Sequence, residues 1–141
     1  VYLGVRVALP HLISNGWGRI VSIASTNAHV GTAGYSAYSA SKHALLGFTR
    51  SLALEVAAHN ITANTISPGF IDGKAGEMHI RKRAADIGVS YETMREREME
   101  DYPRNQWILP KEIADLNCYL CREEAAAING EDIRITSGAS W

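Results

Sequence analysis

The sequence has few cysteines and no excess of charge of either sign. Its 141 residues include two cysteines, Cys118 and Cys121, and two cysteines three positions apart do not make a disulfide framework. The 14 Lys and Arg residues nearly balance the 15 Asp and Glu residues, which removes the usual reason to expect nucleic acid as a partner. No apolar run approaches the ~18 residues of a membrane-spanning helix, so we also expect no membrane partner. Without a targeting motif, the expected location is cytoplasmic.

What is present is typical of a globular protein. Hydrophobic residues make up 46% of the chain and charged residues 21%, and a length of 141 residues suits one domain. The chain begins without Met at Val1, inside an apolar pattern that predicts a helix ending at Asn15-Gly16. We therefore expect residues 1–141 to be a single partial domain. The apolar face of the first helix is expected to comprise Leu3, Val7, Leu9, Leu12 and Ile13.

Strands and helices are expected to alternate along the rest of the chain. Strands are expected at 18–25, 60–67 and 132–136, the first of them buried on both faces, with helices at 38–58 and 110–122. Residues 70–108 break this order with glycines and a dense run of charge, and they predict one or two short amphipathic helices. Because parallel strands need crossover connections, the alternation predicts an α/β fold with a parallel sheet.

The segment Tyr38-Ser39-Ala40-Ser41-Lys42 places a phenol and an ammonium four residues apart at the start of the expected 38–58 helix. Residues at this spacing share a helix face, with Cβ atoms ~5–6 Å apart. An ammonium held beside a phenol favours the ionised form of the phenol. The pair therefore predicts a general acid/base that exchanges a proton with a carbonyl or alcohol oxygen. Tyr35, the competing phenol, lies seven residues from Lys42 and matches this geometry less well.

A Tyr/Lys pair at this spacing is more often an ordinary surface feature, because a two-residue motif recurs by chance. Ser25 strengthens the catalytic interpretation, since it ends an expected buried strand. Open α/β sheets bind ligands at the carboxyl ends of their strands, where a hydroxyl can hydrogen-bond a substrate oxygen as charge develops on it. The alternative is that Ser25 only caps its own loop.

Taken together, these motifs resemble the catalytic half of the short-chain dehydrogenase/reductase family. The resemblance rests on the segments GRIVSIAS, AYSASKHALLGFTRSLALEVA and NITANTISPGF. The family pattern has a Ser closing a strand, Tyr-x-x-x-Lys thirteen residues on and a second strand ending in Pro-Gly. The matching residues are Ser25, Tyr38, Lys42, Pro68 and Gly69. Within the family, the chain is most similar to 3-hydroxybutyrate dehydrogenases and 3-oxoacyl reductases.

The resemblance implies the C-terminal part of a Rossmann-like, doubly wound parallel sheet with helices on both faces. It also implies an oxidoreductase that uses NAD or NADP to interconvert a secondary alcohol and a ketone, with a 3-hydroxyacyl or 3-oxoacyl compound as a candidate substrate. In that reaction Tyr38 is the general acid/base, Lys42 promotes its ionisation and Ser25 orients the substrate oxygen. The cofactor-binding residues that the resemblance implies are Tyr38, Lys42, Pro68, Gly69 and Ile71. Residues 72–108 would be the substrate lid, and a homo-oligomer, a dimer or tetramer, is the implied assembly.

The sequence also departs from the family pattern. The glycine-rich phosphate loop is absent, and so is the residue that selects between NAD and NADP. We therefore expect the N-terminal cofactor-binding half to be missing and this chain alone to hold a dinucleotide poorly. The alternative function is a truncated, catalytically inactive remnant that acts only as a folded or oligomerising module.

Two other groups of residues suggest different chemistry. Cys118 and Cys121 have metal-like spacing but no second pair, so packing in the core or an interface is expected and no metal site. His29 follows Ser25 closely, which raises the possibility of a serine hydrolase. No Gly-x-Ser-x-Gly segment surrounds Ser25, however, and we disfavour that alternative.

Overall fold

The computed structural model describes residues 1–139, in which helices and strands follow the expected order. The helices are α1 (Tyr2–Asn15), α2 (Ser36–Val56), α3 (Lys74–Ile87), α4 (Tyr91–Met99) and α5 (Pro110–Leu120). The strands are β1 (Gly18–Ile23), β2 (Ile61–Pro68) and β3 (Asp132–Ile135). Short 3₁₀ turns at Thr26–Ala28, Ala57–His59 and Glu123–Ala125 complete the described elements.

The three strands form one parallel sheet in the order β1-β2-β3. Gly18 lies opposite Ile61 at one end of the β1–β2 pair, and Thr65 lies opposite Asp132 where β3 begins. Each pair of neighbouring strands is joined through a helix, as parallel pairing requires. The parallel α/β architecture expected from the alternation of elements is therefore confirmed.

β2 lies between the other two strands and is buried at all eight of its positions. Its residues Ile61 and Ala63 pack against Leu52 and Val56 of α2, in an apolar cluster that α1 joins from the side. The expected 38–58 helix is thus confirmed with slightly earlier bounds. Its apolar stripe packs on the sheet, because residues three and four apart face the same way.

The expected burial of β1 and α1 is only partly correct. β1 is half-buried rather than buried on both faces, and Ile23 at its end is 43% exposed. The reason is that β1, among the described strands, is paired on one side only, with β2. Leu9 and Leu12 of α1 pack on the α2–β2 cluster as expected. Leu3 and Val7 do not, since they are 71% and 72% exposed on the side of α1 that faces away from the sheet.

Residues 70–108, which we call the excursion, contain the two helices α3 and α4 and most of a second apolar cluster, to which Ala139 also contributes. Trp107 lies in this cluster, which also includes Ile80, Met94 and Met99. Met94 and Met99 are therefore packing residues in this structure, whereas Met78 is exposed. Gly88 ends α3 with a left-handed backbone conformation, and the Ser90 side chain accepts a hydrogen bond from the Thr93 N–H at the start of α4.

The C-terminal part begins with Pro110 at the first position of α5, where its missing N–H costs no helical hydrogen bond. Leu120 is fully buried, whereas Ile113 and Leu116 of the expected stripe are half-buried. Of the two expected environments for Cys118 and Cys121, packing in the core is wrong, because both side chains are exposed at the end of this helix. Packing in an interface stays a prediction.

Candidate active site

The residues matched to a catalytic pattern lie at the carboxyl ends of β1 and β2. Ser25 comes two residues after β1 ends, and Pro68 is the last residue of β2. Because the two strands are parallel and paired in register, their carboxyl ends lie at the same edge of the sheet. This is the edge at which open α/β sheets bind ligands.

Tyr38 and Lys42 lie on one face of α2 in its first two turns. The Lys42 Nζ atom is 5.6 Å from the centroid of the Tyr38 ring, close enough for a cation–π contact. Tyr38 is 44% exposed, so it is accessible to solvent. The side-chain proximity that the i, i+4 spacing predicts is therefore present.

Lys42 also connects this helix to the strand that leads to Ser25. Its ammonium donates a hydrogen bond of 2.8 Å to the carbonyl oxygen of Ile23, the last residue of β1. A single charged side chain thus contacts both the Tyr38 ring and the backbone two residues before Ser25. This contact limits how far the helix and the strand end can move relative to each other.

Ser25 begins the 3₁₀ turn Thr26–Ala28. Its backbone is extended, and its Oγ accepts a hydrogen bond of 3.2 Å from the Asn27 N–H. The capping alternative for Ser25 is therefore present in the structure. It does not compete with a substrate-orienting role, because a hydroxyl that accepts one hydrogen bond still has its own proton to donate.

Pro68, Gly69 and Ile71 follow one another along the same edge. The Gly69 N–H donates to the Ile135 carbonyl at 2.9 Å, which ties the end of β2 to β3. Ile71 forms a parallel bridge with Ile108, and this bridge closes the base of the excursion.

Sequence reasoning did not anticipate that Tyr35 contacts His79 of α3. The Tyr35 hydroxyl lies 3.2 Å from His79 Nδ1, and the Tyr35 ring packs edge-on against Tyr38 with centroids 6.2 Å apart. Burial lowers the pKa of His79, and the positive charges of Arg83 and Lys82 lower it further. No local pattern could have revealed this contact, since the two residues are 44 positions apart.

The sequence suggests a role for His29 only as the base of a serine hydrolase. The structure pairs it with Asp132, with His29 Nε2 2.7 Å from Asp132 Oδ2. Ser25 Oγ is engaged by the Asn27 N–H instead. Spacing in the sequence could not identify this pair, because 103 positions separate its members.

One cavity of about 420 Å³ opens on the excursion. It is lined by Asp72, Arg95, Glu96, Met99, Glu100, Asn105, Gln106 and Trp107. Within residues 1–139 no three His, Cys, Asp or Glu side chains are grouped to hold a metal ion. Nor does the described part of the chain include a helix long and apolar enough to cross a membrane.

Comparison with known proteins identifies the family of this chain. A family model described as enoyl-(acyl carrier protein) reductase, one of the short-chain dehydrogenase/reductase models, matches residues 1–140. This chain belongs to the short-chain dehydrogenase/reductase family. The resemblance inferred from Ser25, Tyr38-x-x-x-Lys42 and Pro68-Gly69 is therefore confirmed.

Among curated relatives, the chain is 38% identical over 126 residues to the D-beta-hydroxybutyrate dehydrogenase of Cupriavidus necator. This match covers 89% of this chain and 49% of that protein. It is 34% identical over 137 residues to the 3-oxoacyl-(acyl-carrier-protein) reductase of Aquifex aeolicus, covering 97% of this chain and 51% of that protein. The chain thus spans about half the length of the curated relatives that it matches.

Solved structures of this family confirm the Rossmann-like fold class. An actinorhodin polyketide ketoreductase, crystallised with NADPH, superposes with a TM-score of 0.85 at 35% identity over 91% of this chain and 49% of its own. Levodione reductase superposes with a TM-score of 0.90 at 26% identity over 97% of this chain and 52% of its own. The described elements therefore correspond to about half of the fold of these enzymes.

Proposed function

We propose that this chain is the catalytic part of an NAD(P)-dependent oxidoreductase that interconverts a secondary alcohol and a ketone. The observation that carries the proposal is the Tyr38–Lys42 face of α2, with the ammonium 5.6 Å from the phenol ring and bonded to the end of β1. The names of the curated relatives support a 3-hydroxyacyl or 3-oxoacyl compound as the substrate.

In this proposal Tyr38 exchanges the proton of the reaction. In the reducing direction its phenol donates a proton to the substrate oxygen as negative charge develops there, and in the oxidising direction the phenolate removes the proton of the alcohol. The Lys42 ammonium stabilises the phenolate, because opposite charges at this separation attract. Ser25 donates its hydroxyl proton to the same substrate oxygen and so orients it.

The residues at this edge suit the nicotinamide end of a dinucleotide. The Lys42 ammonium and the Tyr38 hydroxyl are the donor types that bind ribose hydroxyls. Since Ile135 already accepts the Gly69 N–H, we propose that Gly69 contacts the nicotinamide through its carbonyl, with Pro68 and Ile71 on either side. When bound, the nicotinamide supplies or accepts the hydride. NAD and NADP remain equal candidates, because the sequence has no motif for the adenosine end.

We propose that residues 72–108 are the substrate lid. Its helix α3 reaches the Tyr38 face through the contact between His79 and Tyr35. The lid has its own apolar cluster, so it can differ in shape between related enzymes without disturbing the sheet. Loops on a rigid scaffold commonly carry specificity in this way. The choice of substrate is therefore assigned to the lid and the proton transfer to α2.

The decisive experiment replaces Tyr38 with Phe in the complete gene product. Loss of general acid/base catalysis is expected to lower kcat by about 10²–10⁴-fold, with an unchanged far-ultraviolet circular dichroism spectrum. Tyr35→Phe is the matched control, since it removes the neighbouring phenol hydroxyl and is expected to retain most of the activity. Undiminished turnover by Tyr38→Phe would remove Tyr38 from the mechanism.

The alternative, an inactive module that only folds or associates, is favoured by the exposure of Leu3 and Val7 on α1. Exposed apolar surface of this kind promotes association. Titration of the 141-residue chain with NADH and NADPH, followed by nicotinamide fluorescence, tests whether this chain alone binds the cofactor. We expect no saturable binding by this chain alone. Saturable binding would contradict the proposal that its cofactor site is incomplete.

A further inference from the structure

Asp132 places a carboxylate inside the protein at the start of β3. Its side chain is only 5% exposed, and it is surrounded by three hydrogen-bond partners, two from β2 and one from the segment after β1. Oδ1 accepts hydrogen bonds from Thr65 Oγ1 at 2.5 Å and from Ser67 Oγ at 2.7 Å. Oδ2 lies 2.7 Å from Nε2 of His29. Both hydroxyl donors belong to β2, whereas His29 comes from the segment that follows β1.

His29 is the residue that ends the 3₁₀ turn begun by Ser25. Within this turn the Ala28 N–H donates to the Ser25 carbonyl and the His29 N–H to the Thr26 carbonyl, each at 2.9 Å. Ser25 and His29 are thus the two ends of one hydrogen-bonded turn. A side chain that holds His29 in place also restricts the position of Ser25.

Stability alone does not account for a carboxylate at this position. Burying a carboxylate is costly unless it is hydrogen-bonded, and well-packed apolar side chains in the place of buried polar groups are often equally stable or more so. Asp132 is the buried member of the pair, whereas the His29 side chain is 28% exposed. Apolar side chains cannot fix the position of a neighbouring donor as a carboxylate can, because a hydrogen bond restricts both the distance and the angle between donor and acceptor. With Oδ1 held by two β2 hydroxyls, Oδ2 has a defined position at which it meets His29.

We propose that His29 and Asp132 are a pair of positioning residues that set the place of the Ser25 hydroxyl relative to Tyr38. The chain of contacts runs from β2 through Asp132 to His29 and along the 3₁₀ turn to Ser25. Lys42 restrains the same strand end from the opposite direction, through the Ile23 carbonyl. This role rests on the function proposed above for Ser25, since a position matters only if the hydroxyl contacts the substrate.

Substitutions that change the length and the donor of the side chain at position 29 test whether its hydrogen bond to Asp132 orders the turn. His29→Gln keeps a nitrogen donor at about the distance of Nε2, whereas His29→Asn is one bond too short to reach Asp132 and His29→Leu has no donor. We expect His29→Asn and His29→Leu to speed amide hydrogen exchange at Ala28 and at position 29 by at least about tenfold, with the exchange of Ala24 unchanged. Gln is expected to restore slow exchange. His59→Leu, on the exposed 3₁₀ turn Ala57–His59, is the control and should change none of these rates.

Kinetics of the complete gene product then separate positioning from general stability. His29→Asn and His29→Leu are expected to lower kcat by about tenfold to a hundredfold, as small misplacements of a reacting group do, with KM for the nicotinamide cofactor unchanged. His29→Gln should recover most of the kcat. A role confined to stability would leave kcat of the folded enzyme unaltered.

Each outcome decides a different question. Slow exchange of the turn in the Asn and Leu variants, or fast exchange with an unchanged kcat, would overturn the positioning role. A loss of kcat that Gln does not rescue would do the same, since it would show that the hydrogen bond is not what matters. Absence of turnover in the unsubstituted protein would instead overturn the proposed function, and exchange in the turn would still report whether the pair orders it.

Discussion

The sheet and the excursion are two regions of this chain built on separate apolar clusters. In the sheet region, β2 is buried along its whole length and packs against Leu52 and Val56 of α2. In the excursion, Trp107 and the residues around it form a cluster of their own, which is covered by charged helices. The contacts between the two regions include that of Tyr35 with His79 and the packing of Ala139, from the C-terminal segment, into the excursion cluster.

The division places the proposed chemistry and the proposed substrate choice in different regions. Ser25 follows the end of β1, whereas Tyr38 and Lys42 lie on α2, and both elements depend on the buried sheet for their positions. The excursion contributes His79, which contacts Tyr35 beside Tyr38. A change in one region should therefore leave the other largely intact, which the following substitutions test.

The largest contrast is expected from two matched substitutions of fully buried isoleucines, Ile66→Ala in β2 and Ile80→Ala in α3. Each removes the same atoms, at a cost of about 2–5 kcal/mol. Ile66→Ala is expected to lower the global free energy of unfolding and to speed amide exchange throughout the sheet. Ile80→Ala is expected to speed exchange mainly within residues 74–108. Denaturant titration with hydrogen exchange measures both, and equal loss of protection in the sheet would contradict the division.

A smaller effect is expected from Gly76→Ala at the base of the excursion. A Cβ atom at Gly76 would lie 2.5 Å from the Ile71 carbonyl oxygen and 2.8 Å from Phe70, so the backbone must shift. We expect a destabilisation of about 1–3 kcal/mol, confined to the excursion, because overpacking forces local rearrangement. Gly73→Ala is the control, since a Cβ there meets no atom within 4 Å and its backbone is extended. Equal effects of the two substitutions in a stability measurement would show that the contact at Gly76 is unimportant.

The smallest effect concerns pH and the contact between the two regions. Burial and the charges of Arg83 and Lys82 lower the pKa of His79 from its usual value of 6.5. As pH falls below 6.5, the unfolded chain therefore binds a proton at this histidine before the folded chain does, and stability decreases. A nuclear magnetic resonance titration should show a midpoint for His79 below 6.5. His79→Phe should weaken the pH dependence of stability in this window, and an unaltered dependence would exclude His79 as its source.

Much of the fold could be predicted from the sequence because it depends on local patterns. The bounds of α2, β2, α5 and β3 differ from expectation by only a few residues, since Pro110, the Asn129-Gly130 turn and the apolar periodicity act over short distances. Burial was predicted less well. Leu3 and Val7 carry the same apolar pattern as Leu9 and Leu12, yet only the latter pair meets the sheet.

The candidate site shows the same limit. The proximity of Tyr38 and Lys42 follows from helix geometry and was predicted from their spacing alone. The hydrogen bond from Lys42 to the Ile23 carbonyl could not be predicted in this way, because it depends on how α2 crosses the end of β1. The assignment of His29 to Asp132, rather than to Ser25, likewise required the loop and β3 to be placed together.

By itself, the sequence determined the order of helices and strands, the family and the helix face that carries the phenol and the ammonium. Each of these depends on interactions between residues close together in the chain, where backbone geometry leaves few choices. Only the tertiary structure decided which apolar side chains are covered and which donors surround the carboxylate of Asp132. Those donors come from positions 29, 65 and 67, and only the parallel pairing of β2 with β3 and the path of the turn after β1 bring them together.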